Sequence, residues 1–153
     1  MGTLDLILWR HAEAQDGTPD HARALTAKGS KQAEKMATFL RRHLPEQTRI
    51  LVSPAVRTRQ TVTALTTHFV LTPAISPGAS AQAIFEATDW PHAEGTVLVV
   101  GHQPTLGEVA AHLLDSTQTS LSIRKGAIWW FCLRQREGQL HVTLRMVVTP
   151  EFL

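Results

Sequence analysis

The sequence holds one cysteine, Cys132, in 153 residues. No disulfide can form within the chain, and this scarcity suits a reducing compartment. Cys132 lies in an apolar, strand-like run and reads as a packing residue. Long hydrophobic runs are also lacking. Asp5 interrupts the apolar stretch at the N-terminus, and no later segment reaches the length of a bilayer span. Neither a signal peptide nor a membrane association is expected, and a cytoplasmic location is. Charge of one sign is absent too: the formal net charge is +2, with a pI of about 9.1, and basic residues are scattered among acidic ones. Nucleic acid binding calls for a basic stripe with interleaved aromatics. The densest candidate, Lys28, Lys31, Lys35 and Arg42 on the first predicted helix, reads as a solvated outer face, so no nucleic acid partner is expected. The eight histidines include no HExxH and no paired-cysteine spacing. No metal site and no cofactor are expected.

What is present is a hydrophobic fraction of 43%, enough for one globular domain over residues 1–153 with a sizeable core. Leu6, Ile7, Leu8 and Trp9 run without polar interruption and then stop at Arg10-His11. Such a run fits a strand buried on both faces, although short apolar runs are also compatible with a helix. Two later stretches repeat the design. Ile50-Leu51-Val52 leads into Ser53-Pro54-Ala55-Val56-Arg57-Thr58-Arg59-Gln60-Thr61, and Thr96 to Gly101 leads into His102-Gln103-Pro104. Parallel sheets bind ligands beyond the carboxyl ends of their strands, where each of these patterns delivers an arginine or a histidine.

Between these stretches, Ala14 to Ala24 reads as a loop at the mouth of a site. Thr26 is a candidate cap for a helix whose apolar positions Ala33, Met36, Ala37, Leu40 and Leu44 recur until Pro45. A second helix is expected over roughly 55–68, with Pro54 suited to its first turn. Residues 71–78 read as a short strand or an irregular connection, and 82–88 as a brief helix. Another helix begins at Pro104 and carries Leu106, Val109, Ala110, Leu113 and Leu114. Strands at 127–133 and 140–148, joined through Glu137-Gly138, close the chain, the second with period-two alternation. Strands alternating with helices imply an α/β sandwich with a mostly parallel sheet and an antiparallel C-terminal hairpin.

The Arg-His after the first strand, the Ser-Pro-x-x-Arg-x-x-x-Thr after the second and the Gly-His after a later one resemble the histidine phosphatase superfamily. The short length and Arg23-Ala24-Leu25-Thr26 resemble its small SixA-type phosphohistidine phosphatase branch. The resemblance implies a phosphoglycerate-mutase-like fold, a three-layer sandwich with helices on both faces of the sheet. It also implies that His11 is a nucleophile forming a covalent phosphohistidine, that Arg10, Arg57 and His102 surround the transferring group, and that Arg23 contributes to phosphate or substrate binding. These side chains suit the chemistry. A histidine attacks through an unprotonated ring nitrogen, and phosphoryl transfer asks mainly for positioning and for forked cationic donors. Ser53 and Thr61 read as structural, Gln103 as a neighbour or contact of the phosphate, and Trp129 and Trp130 as sheet packing on opposite faces.

Larger members of the superfamily that act on phosphate esters use a carboxylic acid to protonate the leaving oxygen. Leu71 to Ala83 contains no carboxylate, and Glu13, beside the nucleophile, is the best-placed acid or base. A site with cations and no dedicated acid suits P–N cleavage, since the imidazole of a protein phosphohistidine can take its proton from solvent. The expectation is a metal-independent phosphatase for phosphohistidine on a phosphotransfer protein. The alternatives are a phosphatase for small phosphate esters, with Glu13 as acid, and a noncatalytic phosphate- or phosphoprotein-binding module.

Overall fold

The computed structural model describes residues 2–153. The strands are β1 (Thr3–Arg10), β2 (Thr48–Val52), β3 (Val70–Leu71), β4 (Gly95–Gly101), β5 (Ile128–Arg136) and β6 (Gln139–Val148). The helices are α1 (Ala27–His43), α2 (Val56–Thr63), α3 (Ala81–Thr88) and α4 (Thr105–Leu113). The sheet order is β3-β2-β4-β1-β5-β6. Its first four strands run parallel, and β5 and β6 form the antiparallel hairpin that the period-two pattern predicts.

The uninterrupted apolar runs are explained by helices on both faces. Leu4, Leu6 and Leu8 of β1 pack with Ile84 and Phe85 of α3 and Leu106 and Val109 of α4. Ile7 and Trp9 point the other way, onto Met36, Ala37 and Leu40 of α1 and Val62 of α2. Removing a fully buried Leu such as Leu8 costs about 2–5 kcal/mol in comparable cores. Trp130 joins the α1/α2 layer, and Trp129 packs against the α3/α4 layer. Among the described residues, no helix is long and apolar enough to cross a membrane.

Helix α1 begins as its sequence predicts, with Thr26 Oγ1 accepting a hydrogen bond from Gly29 N at 2.9 Å. Gly29 has a second reason to be glycine. A Cβ there would collide with the carbonyl of Glu13, so the first turn of α1 lies directly against the segment that follows His11. Helix α2 is shorter than the pattern predicts. Thr61 and Thr63 turn their hydroxyls back onto the carbonyls of Arg57 and Arg59, and Arg41 Nη1 donates to the carbonyls of Ala64 and Leu65 beyond the helix end. Its N-cap is Ala55, so Pro54 precedes the first turn rather than occupying it. The stretch at 71–78 begins with the second residue of the two-residue β3 and continues into a 3₁₀ turn at Pro73–Ile75.

Adjacency in the sheet is what assembles the site. Strand β4 lies between β2 and β1, with Arg10 opposite Gly101 and Val52 opposite Val100. Three carboxyl ends, far apart in the chain, therefore open onto one crevice.

Candidate active site

His11, Arg57 and His102 meet in that crevice with only 7%, 4% and 4% of their surfaces exposed. The rings of His11 and His102 lie 5.4 Å apart, centroid to centroid. His11 Nδ1 is 2.7 Å from the carbonyl of Ala12. A carbonyl only accepts, so the proton is on Nδ1 and the lone pair on Nε2, which bonds to no described residue. Thr61 fixes this corner: its hydroxyl accepts from Ala12 N and donates to the carbonyl of Arg57. The end of β1 and the first turn of α2 are thereby joined through one side chain.

Arg57 donates from Nη1 to the backbone carbonyl of Asp20 at 2.9 Å and from Nη2 to Asp20 Oδ2 at 3.1 Å. Arg23 donates from Nη1 to Asp20 Oδ1 at 3.1 Å and from Nε to the carbonyl of Gln15. One carboxylate thus bridges two arginines. Its pKa is held below the usual carboxylate range, first by the bond from Arg23 and then by that from Arg57. Arg10 donates from Nη1 to the carbonyl of Ile123. His102 Nε2 is 2.7 Å from Ser53 Oγ. Among the described residues, the buried side-chain nitrogens and oxygens without a partner are Arg10 Nε, Arg57 Nε and His102 Nδ1. All three belong to this cluster. Buried polar atoms are ordinarily satisfied, so three orphans together, two of them arginine donors, mark a place for an acceptor-rich ligand.

Both rings resist protonation. His11 is lowered to about 4, chiefly by burial, with Arg57, Arg10 and Arg23 adding to it and the Ala12 bond opposing it. Burial, then Arg57 and His11, lower His102 to about 3. An NMR titration of the free protein is expected to find both rings uncharged at pH 6. A midpoint near 6.5 for His11 would contradict this environment. The linkage has a definite sign: between pH 6.5 and about 4 the unfolded chain binds protons that the folded chain refuses, so stability declines as pH falls through that window.

The structure thus brings Arg10, His11, Arg57 and His102 together at the strand ends and places Arg23 at their edge through Asp20. Glu13 is turned elsewhere. Its Oε1 accepts from Thr26 Oγ1 at 3.0 Å, and its Oε2 is 3.8 Å from Lys28 Nζ. Gln103 is structural, its amide bridging Gly107 N and the carbonyl of Leu121. Ser53 departs from the expected turn role, because its contact with Ala55 N is long, 3.5 Å, and its close partner is His102. Asp20 has no counterpart among the expected site residues. The one available sign was an acid three residues before Arg23 in a loop already assigned to the mouth of the site.

A family model described as the histidine phosphatase superfamily (branch 1) matches residues 6–80. The phosphohistidine phosphatase SixA homolog of Haemophilus influenzae is 33% identical over 126 residues, covering 72% of this chain and 77% of that protein. Phosphohistidine phosphatase SixA of Escherichia coli is 29% identical over 119 residues, covering 72% and 74%. In three dimensions, the protein histidine phosphatase SixA complexed with tungstate superposes with a TM-score of 0.77 at 24% identity, over 97% of this chain and 98% of the other. A phosphoserine phosphatase from Entamoeba histolytica in complex with 3-phosphoglyceric acid gives 0.71 at 18% identity, over 94% and 96%. At these identities the two structures speak for the fold, which is phosphoglycerate-mutase-like.

Proposed function

Because the chain belongs to the histidine phosphatase superfamily, in its SixA-type branch, we propose that it is a phosphohistidine phosphatase acting on a phosphotransfer protein through a phosphoenzyme at His11. The observation that carries this reading is His11 itself, with Nδ1 bound to the Ala12 carbonyl and Nε2 free among orphaned nitrogens of Arg10, Arg57 and His102. Relatives named phosphohistidine phosphatases support it.

In the first step the Nε2 lone pair attacks phosphorus. The P–N bond to the substrate breaks, its electron pair returns to the substrate imidazole, and that ring takes a proton from solvent. In the second step water attacks phospho-His11, the P–Nε2 bond breaks, and inorganic phosphate leaves as the water's proton is released. Arg10 and Arg57 aim donors at the equatorial oxygens, and Arg23 holds the rim. The depressed pKa of His11 keeps its lone pair available throughout the neutral range. If Ser53 donates to His102 Nε2, the proton of His102 lies on Nδ1, the orphaned atom, which can then donate to a phosphoryl oxygen. Ser53 is therefore a positioning residue. The chemistry needs no metal.

A noncatalytic binding module would have no use for a preset nucleophile, since the cations alone would hold phosphate. The ester reading has the fold of the phosphoserine phosphatase in its favour, but it needs a proton donor. Asp20, the carboxylate bonded to Arg57, is kept ionised by its two arginines and has no proton to give. Glu13, two residues beyond His11, is the other candidate, and its carboxylate is turned to Thr26 and Lys28.

The test compares turnover on a phosphohistidine protein with turnover on a panel of esters, in the natural chain and in Glu13→Gln. Glutamine preserves the acceptor for Thr26, so the variant should fold. It is expected to keep most phosphohistidine hydrolysis and to lose more of any ester hydrolysis. Equal loss of both, with phosphate still bound, would assign Glu13 to a shared step such as activating water. An ester rate matching the phosphohistidine rate in the natural chain would favour the small-molecule reading.

A further inference from the structure

Beside the reactive histidine lies a cleft of about 620 Å³ whose lining includes Arg10, Lys28, Lys31, Lys35, Arg124 and Lys125. Lys28, Lys31 and Lys35 recur at i, i+3 and i+7 and so share one face of α1. Arg124 and Lys125 come from the loop that enters β5. The acids lining it are Glu13 and Glu151, which pair with Lys28 at 3.8 Å and Arg124 at 3.5 Å. Lys31, Lys35 and Lys125 are exposed and make no ion pair among the described residues.

The nearly balanced composition conceals this separation. Six of the fifteen lysines and arginines line the cleft with two of the thirteen acids, which leaves nine cations against eleven acids on the rest of the chain. The excess positive charge therefore belongs to one place, where it is self-repelling until an anionic surface covers it. That place adjoins the chemistry. Arg10 is common to the cleft and the reactive cluster, Glu13 is two residues beyond His11, and Gly126 N, next to Lys125, donates to the carbonyl of His11 at 3.0 Å.

We propose that this cleft is the docking surface for an acidic face of the phosphorylated protein, orienting it so that its phosphohistidine enters beside His11. The proposal rests on the phosphohistidine reading above. A protein that brings a histidine side chain into the crevice also brings the surface flanking that histidine against the rim, where this basic cleft lies. No aromatic side chain lines the cleft, so it has no platform on which nucleic acid bases could stack. Charge complementarity of this kind acts mainly on encounter and register, so its loss should appear in kcat/KM and in salt dependence.

The test uses a histidine phosphotransfer domain carrying phosphohistidine flanked by acidic residues, the same domain with those acids changed to amides, and free phosphohistidine. The triple variant Lys31→Glu, Lys35→Glu, Lys125→Glu should lose about tenfold or more in kcat/KM on the acidic domain at low salt, mostly through KM. It should keep the rate of the natural chain on free phosphohistidine, and the amide domain should show little difference between the two enzymes. The corresponding Lys→Gln triple variant should fall between them, and raising salt should narrow the gap. An unchanged kcat/KM on the acidic domain, or equal losses on the domain and on free phosphohistidine, would overturn the docking surface. So would binding of the natural chain to phosphatidylserine vesicles that the triple variant loses while hydrolysing the domain normally. Failure of the natural chain to hydrolyse free phosphohistidine or the domain would instead strike the functional reading itself.

Discussion

His11→Ala is expected to abolish turnover while leaving the fold in place. The substitution removes the atom that would carry the phosphoryl group, so no covalent intermediate can form, and neither neighbouring arginines nor His102 can replace it. The structural loss is small by comparison. The His11 side chain contributes one hydrogen bond, to the Ala12 carbonyl, worth about 1 kcal/mol net, and its ring is not part of either large apolar cluster. Circular dichroism and a thermal melt should therefore match those of the natural chain. Rapid quenching with a labelled phosphohistidine substrate should trap label on His11 in the natural chain and none in the variant. Label recovered on a different residue of the variant would show that the nucleophile has been misassigned.

Arg57→Ala should lower kcat/KM by about 10²-fold or more, the usual worth of one donor aimed at developing charge. Arg57 is 4% exposed, and an alanine leaves behind both an unfilled volume and an Asp20 held by Arg23 alone. Arg57→Lys is the sharper variant, because it restores the charge without the fork. A lysine donates from one point and cannot serve Asp20 and a phosphoryl oxygen in the geometry that a guanidinium allows. Substantial loss in both variants, with phosphate binding weakened in parallel, is the expected pattern. An unchanged rate in Arg57→Ala would remove this residue from the site.

The parts of this molecule that were legible in its sequence are those fixed by local chemistry. Leu6 to Trp9 and Val97 to Val100 declared strands buried on both faces because nothing polar interrupts them, and β6 declared a half-exposed strand by alternating. Arg10, His11 and His102 were legible because they stand at or just beyond the ends of such strands, Arg57 because it lies in the first turn of the helix that follows β2, and a parallel sheet puts those ends together. What could not be read depended on partners distant in the chain. Ser53 finds His102 across 49 residues, and the end of α2 is closed by Arg41 from another helix. The basic cleft joins α1 to a loop almost a hundred positions later, so its lysines looked like an ordinary solvated face. Asp20 was hidden for a different reason: an acid in a loop has no periodicity, and its importance comes wholly from the arginines it meets.

The bridge that Asp20 makes between Arg23 and Arg57 has a consequence for life among abundant small anions. In the proposed site Arg57 Nε is open to a ligand, but one that also takes the two Nη donors must first dislodge a carboxylate that is tethered to the chain and present at high effective concentration. The apparent affinity of a ligand that needs those donors is set by the fraction of molecules in which they are free. Chloride or bicarbonate, with one charge and few acceptor positions, is poorly equipped to win that exchange. A phosphoryl group offers three oxygens and a second charge. In the proposed site Asp20 is thus a built-in rival that favours ligands of higher charge and valence.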